Sequence, residues 1–373
     1  MKQSEKSYHD TLKWLETEPL LKNLKDDALE PMVWYRRKLD GCCNARDSEN
    51  WMYLKKGMSN NLIIFFIGGG LAYTPDMAKR SGSIRDFFAQ WQEPAFYTEE
   101  CHPNNEYYYF HILGNRGIFS LQEENPFCDW NIAMFNYGTA DMHIGCGDFL
   151  YTDNQSGELL LHHHGYTNFL AGMDIVCKLF AHPEKLLITG CSAGGFAAPA
   201  LAAEIVERFS SCNNITICTD GAALEIPEWG KITRYIWQAP EHIAKGVVSN
   251  NFVVDMFRAA QSRIGDRAKY LFMCGYPDGV LATFQSYIDS GTFSLTERAE
   301  KRMEIILKQQ ILQMKSLTYP VYCFLHDFRL NGMIQHCTLD APTFSVGVPS
   351  PKAWLWGAIN GNCTDFGLER ICL

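Results

Sequence analysis

The chain has 373 residues, 47% hydrophobic and 20% charged, enough apolar material for one large α/β domain or two ordinary ones. A formal charge of −9 argues against broad contact with a phosphate backbone, so no nucleic-acid partner is expected. No apolar run reaches the roughly eighteen residues of a membrane helix, and the first ten residues lack the apolar core of a signal peptide, so neither a membrane partner nor export is expected and a cytoplasmic location is.

Residues 5–38 read as helical, with Trp14, Leu15, Leu20, Leu21 and Leu24 on one face. This sets an N-terminal helical segment over 1–48 apart from one domain over 49–373. Residues 49–55 and 61–67 read as consecutive strands around a turn at 56–60, and Gly68, Gly69 and Gly70 open an irregular stretch to about Phe127. Residues 130–137 form the next strand. The Gly-, Asp- and His-rich stretch 138–165 reads as loop, followed by a helix over 166–181. A buried strand at 185–189 leads through a tight turn into a helix at 196–208. Residues 214–220 and 267–274 are strands, with helices of an inserted cap over about 230–265 between them. A long amphipathic helix over 296–317 precedes a last strand at 319–325. Strands alternating with helices indicate a mostly parallel sheet covered on both faces.

The fourteen cysteines read as buried thiols, many in apolar segments (Cys177, Cys274, Cys323), with Cys42, Cys43, Cys363 and Cys372 the least inert. No CxxC pair exists, so a zinc knuckle is not expected. The run His162, His163, His164 suggests metal, with His143, Asp141 or Asp148 as further ligands. Three consecutive side chains do not readily converge on one ion, however, so hydrogen-bonded loop histidines are the expectation and no metal site is assigned.

Gly190, Ser192 and Gly194 fit G-x-S-x-G between a strand and a helix, the setting of a nucleophile elbow. A serine hydroxyl is a weak nucleophile at neutral pH and needs a base, which in turn needs an orienting group. In this setting the partners follow in the order acid, then histidine. Asp220 and Asp278 both follow strands; Asp278 lies one strand further on, where the acid is expected. For the base, His336 beyond the last strand competes with His326 at that strand's end. The amides of the glycine run and of Ala193 make an oxyanion hole. Trp229, Trp237 and Trp354 are candidates for stacking sugar rings.

With these blocks assembled, the chain resembles the pectin acetylesterase family, which also includes the Notum carboxylesterases. The likeness runs from about Glu49 to Thr338. It rests on the strand ending in Gly68–Gly70, the block from Trp130 to Gly145 with its Thr139–Ala–Asp141–Met–His143–Ile–Gly145 loop, and the segment His163–Asn168. It rests further on Gly190–Gly195, on the acid block from Gly275 to Gln285, and on Gln335–Thr338. The resemblance implies an α/β-hydrolase-like fold and removal of acyl groups from esters without a cofactor. It also implies Ser192 as nucleophile, Asp278 as acid and His336 as base, with Gly69, Gly70 and Ala193 as oxyanion donors. A Trp ends the glycine run in many members; Leu71 stands there in this chain. The expected substrate is an O-acetylated carbohydrate or small ester. A longer acyl chain, or a catalytically silent carbohydrate-binding protein on the same fold, is the alternative.

Overall fold

The computed structural model describes residues 21–24, 27–82, 95–98, 115–153, 157–330 and 332–372. Its centre is a nine-stranded sheet. In chain order the strands are β1 (Lys22–Asn23), β2 (Trp34–Cys43), β3 (Glu49–Lys55) and β4 (Leu62–Phe66). The two-residue strands β5 (Ser81–Gly82) and β6 (Tyr97–Thr98) pair with each other outside it. There follow β7 (Asn131–Phe135), the separate hairpin of β8 (Gly147–Asp153) and β9 (Gly157–His163), then β10 (Lys185–Cys191), β11 (Asn214–Asp220), β12 (Ala268–Gly275) and β13 (Val321–His326).

The order across the main sheet is β1-β2-β3-β7-β4-β10-β11-β12-β13. From β7 to β13 every pairing is parallel. Only β3 runs against its neighbours. All five residues of β4 and all five of β7 are buried. Since successive side chains point to opposite faces, both faces of the sheet's centre are covered. The cover comes from helices α1 (Gly165–Leu179), α2 (Ala193–Arg208), α3 (Phe252–Ile264), α4 (Gly279–Ser290), α5 (Glu297–Lys315) and α6 (Pro351–Ile359). Helix α2 opens with the small residues Ala193, Gly194 and Gly195 and carries four more buried alanines, which lets it lie close over β4, β10 and β11.

Four expectations are corrected. The helix over 5–38 fails in its described part, where β1 and β2 run instead; the side chains of Trp34, Tyr35 and Arg36 are all buried, as suits a strand covered on both faces. The rest of that segment, residues 1–20, lies outside the described residues. The boundary at residue 48 falls between two antiparallel partners, β2 and β3, so the described N-terminal residues belong to the sheet. The loop over 138–165 contains the β8–β9 hairpin, whose alternation is masked by its polar residues. The helices at 230–265 exist, but α3 packs against α2 and so belongs to the layer covering the sheet. The strands at 49–55 and 61–67 are consecutive as read, and in the sheet β7 lies between them.

Candidate active site

Strands β4, β10, β11, β12 and β13 are parallel neighbours, so their carboxyl ends share one edge. The glycine run follows β4, Ser192 follows β10, Asp220 ends β11, Asp278 follows β12 and His336 follows β13. Sequence positions from 68 to 336 thereby arrive at one rim.

Ser192 is the residue between β10 and α2, with φ 56° and ψ −124°. A positive φ of this kind costs a side chain about 1–3 kcal/mol, and a sharp strand-to-helix turn of the nucleophile-elbow type requires it. Serine at a helix start usually caps the first turn; Ser192 makes no such bond, so its hydroxyl is free of that duty. The turn needs close backbone approach. A Cβ on Gly194 would stand 1.9 Å from the Phe66 carbonyl oxygen of β4. Gly194→Ala is therefore expected to cost about 3 kcal/mol by overpacking against immovable backbone; an unchanged thermal midpoint would refute that contact.

Asp278 caps α4. Its Oδ1 accepts from Val280 N (3.0 Å) and Leu281 N (2.9 Å), while Oδ2 takes His336 Nδ1 at 2.7 Å. The carboxylate is fully buried, and its side of the pair is fixed by two amides at a helix N-terminus. Burial works against protonation of His336, but the Asp278 carboxylate beside it wins, holding the imidazole well above its ordinary value of 6.5. His336 Nε2 is buried with no hydrogen-bond partner among the described residues, so the ring is not bonded to Ser192 Oγ in this state. The two nonetheless flank one short segment. Ser192 N donates to Asp220 O at 2.9 Å, and a Cβ on the next residue, Gly221, would fall 2.9 Å from His336 Cε1.

The rivals have other work. Asp220 makes no bond to the ring; its Oδ2 accepts from Thr338 N (2.6 Å) and Leu339 N (2.8 Å), hanging the histidine loop from the end of β11. Burial pushes its carboxyl up to about 7 against those two amides. His326 stacks on Phe328, and burial lowers it to about 4. Trp229, Trp237 and Trp354 are buried, so they pack the core and do not offer faces to sugar rings.

Gly68 lies against the serine, where a Cβ on it would be 2.7 Å from Ser192 Cβ, while Gly69 faces Thr98 and Tyr137 and Gly70 faces Phe96. The run is pinned from outside, since Thr98 N donates to Gly69 O (2.9 Å) and the Tyr137 hydroxyl to Gly70 O (2.8 Å). Among the described residues, the N–H groups of Gly69 and Gly70 donate to no turn or loop carbonyl, nor does that of Ala193.

Asp141, named in the sequence as a candidate further metal ligand and within the family-like loop, has a supporting role that residue-type reasoning did not assign. Its buried carboxyl accepts four bonds: Thr139 Oγ1 (2.6 Å) and His143 N (3.0 Å) on Oδ1, Gly145 N (3.1 Å) and Gly165 N (2.7 Å) on Oδ2. Burial pushes it up to about 7, and the four donors resist. The His143 ring it positions is lowered to about 4 by burial, hence neutral, and its Nε2–H donates to Ile67 O at 2.8 Å, directly before the glycine run. The signal was present in the polar block after the strand at 130–137, but a lone polar loop does not announce what it holds.

A nine-stranded, mostly parallel sheet with a serine elbow at its carboxyl edge defines an α/β-hydrolase-like protein. Residues 47–225 match the family model described as Pectinacetylesterase, bearing out the resemblance seen in the sequence and supporting an esterase-type hydrolase. Two solved structures of the Wnt deacylase Notum from Drosophila share the fold. One is 13% identical, with 91% of this chain and 96% of that chain covered at a TM-score of 0.58. The other is 14% identical, with 88% and 94% covered at 0.57. No curated protein matches by sequence.

Proposed function

We propose that the protein is a serine carboxylic-ester hydrolase that removes short acyl groups, acetate foremost, from acylated carbohydrates or similar small esters. The reading is carried by one observation: a serine held at φ 56° in a strand-to-helix turn, with a carboxylate-paired imidazole across Gly221 from it. The description of the matched family supports the acetyl group as the one removed.

In this mechanism Ser192 Oγ attacks the ester carbonyl carbon while His336 Nε2 takes the hydroxyl proton. The missing Oγ–Nε2 bond forms when substrate settles the side chains, as such bonds often tighten only in the complex. The carbonyl oxygen becomes an anion facing the amides of Ala193, Gly69 and Gly70. His336 then gives its proton to the leaving alkoxide oxygen, so the alcohol departs and an acyl-serine remains. Water repeats the sequence, losing a proton to His336 and releasing the carboxylic acid and free Ser192. Asp278 holds the Nδ1–H tautomer throughout.

The pH dependence follows from the pair. Catalysis needs neutral His336, so kcat/KM is expected to rise with pH along a limb centred above 6.5, because Asp278 raises the imidazole. The stability linked to the pair runs the other way: it is complete below 6.5 and is lost as pH climbs through the raised value. Asp278→Asn should lower kcat about 10⁴-fold by presenting the wrong tautomer and move the limb down. A limb at or below 6.5 in the parent enzyme would contradict the pairing. On nitrophenyl esters, acetate should outrun octanoate; the reverse order would assign the site to longer acyl chains, and no turnover of either would leave a binding protein.

A further inference from the structure

The three consecutive histidines do not act as a set of three. Strand alternation in β9 turns His163 inward, where its Nε2 meets the Tyr151 hydroxyl at 2.9 Å and its Nδ1 the Thr139 carbonyl at 2.8 Å. His162 and His164 lie together elsewhere, against Cys43 at the end of β2. Cys43 Sγ stands 3.4 Å from His164 Nδ1, and one ligand atom from each of Cys43, His162 and His164 lies within 4.8 Å of the others. Asp148, directly opposite His162 in the β8–β9 ladder, brings one carboxylate oxygen to His162 Nδ1 (2.7 Å) and to His164 Nε2 (2.8 Å).

We propose that Cys43, His162 and His164 form a zinc site that clamps the end of β2 to the β8–β9 hairpin and to the start of α1. The donor set of one thiolate and two imidazoles suits zinc and disfavours magnesium or calcium, which want oxygen. The spacing suits it too. In a tetrahedron with Zn–S of about 2.3 Å and Zn–N of about 2.0 Å, sulfur and nitrogen are about 3.5 Å apart, against the 3.4 Å between Cys43 Sγ and His164 Nδ1. Asp148 serves as the outer carboxylate that orients both rings, the usual arrangement for metal-bound histidine. The fourth position is left to water. On binding, a zinc–sulfur bond forms and the Cys43 thiol proton passes to solvent. The thiolate and Asp148 together balance the charge of the ion.

The scaffold for the site is already fastened by other groups. His162 N donates to Ala45 O at 3.1 Å, and Asn168 Nδ2 of α1 donates to Cys43 O at 2.8 Å. The ligands are therefore brought together by the backbone before any ion arrives, which favours binding by cutting its ordering cost. None of these residues belongs to the ester chemistry, so the site stands or falls independently of it.

The test uses the full chain. Protein stripped with a chelator and reloaded should take up about one equivalent of zinc. With cobalt in place of zinc it should show a thiolate-to-cobalt charge-transfer band in the near ultraviolet. Cys43→Ser should abolish that band and the bound metal, and Asp148→Asn should weaken binding by about 10–100-fold. The far-ultraviolet spectrum and the thermal midpoint report whether each variant is folded. Failure of the parent protein to bind zinc at micromolar concentration would overturn the proposal. So would metal retained in folded Cys43→Ser, which would place it elsewhere, such as the buried group of Cys191, Asp220 and Cys337.

Discussion

Ser192→Ala is expected to reduce turnover of p-nitrophenyl acetate by about 10⁶-fold, the scale seen when a serine nucleophile is removed from a working triad. The fold should survive, since Ser192 caps nothing and is only partly buried. Alanine keeps the Cβ that already sits against Gly68, so the elbow's strain is unchanged. The thermal midpoint should therefore stay within about 2 °C of the parent, corresponding to a surface-like change of about 0.5 kcal/mol. Reaction with a fluorophosphonate should vanish in the same variant. Parental turnover in Ser192→Ala would end the hydrolytic reading. Lost turnover with a collapsed midpoint would mean that the residue is structural.

Asp141→Asn should produce the largest loss of stability of any single-atom exchange near the site. The carboxyl oxygens face three backbone N–H groups and one hydroxyl, and Asn offers one acceptor oxygen where two are needed. Whichever way the amide turns, its NH₂ meets at least one N–H head-on. Each unmet buried donor costs about 1–3 kcal/mol, so a total on the order of 3 kcal/mol is expected, or roughly 4 °C in the midpoint for a chain of this size. If the glycine run lines the proposed ester site, activity should fall as well, because the loop carrying His143 supports Ile67 directly before that run. A differential scan with no shift would show that the carboxyl is held protonated, donating one of its bonds.

Much of this was legible in the sequence. The expectations at 49–55 and 214–220 coincide with β3 and β11, because short apolar runs bounded by polar turns have few alternatives in a buried sheet. The elbow was legible too, since small residues at 190, 194 and 195 between a strand and a helix leave little else to build. The pairing of Asp278 with His336 was reached by order along the chain and by resemblance, and the structure brings the two into contact. What escaped was set by tertiary context. Residues 34–43 have apolar spacing that does not exclude a helix, and only pairing with β3 makes them a strand. The hairpin at 147–163 exposes Leu150 and Leu160, so its pattern never alternates cleanly. Helix α4 begins at the aspartate read as catalytic: one carboxylate oxygen caps the helix and the other meets His336. Trp229 and Trp237 show the converse failure: a large aromatic reads as a ligand platform until its neighbours are known.

The placement of β4 between β7 and β10 also has a bearing on how the chain reaches its native state. Its two partners come from residues 131–135 and 185–191, joined to it in parallel, so no local turn can assemble the middle of the molecule. Closure of long loops must precede any reward from those contacts, which makes acquisition of structure slow relative to helical proteins of similar size. A chain emerging from the ribosome would expose its most apolar segment for as long as it takes to synthesise more than a hundred further residues. The loop that carries His336 is made only after every described strand of the main sheet, so its pairing with Asp278 cannot precede them.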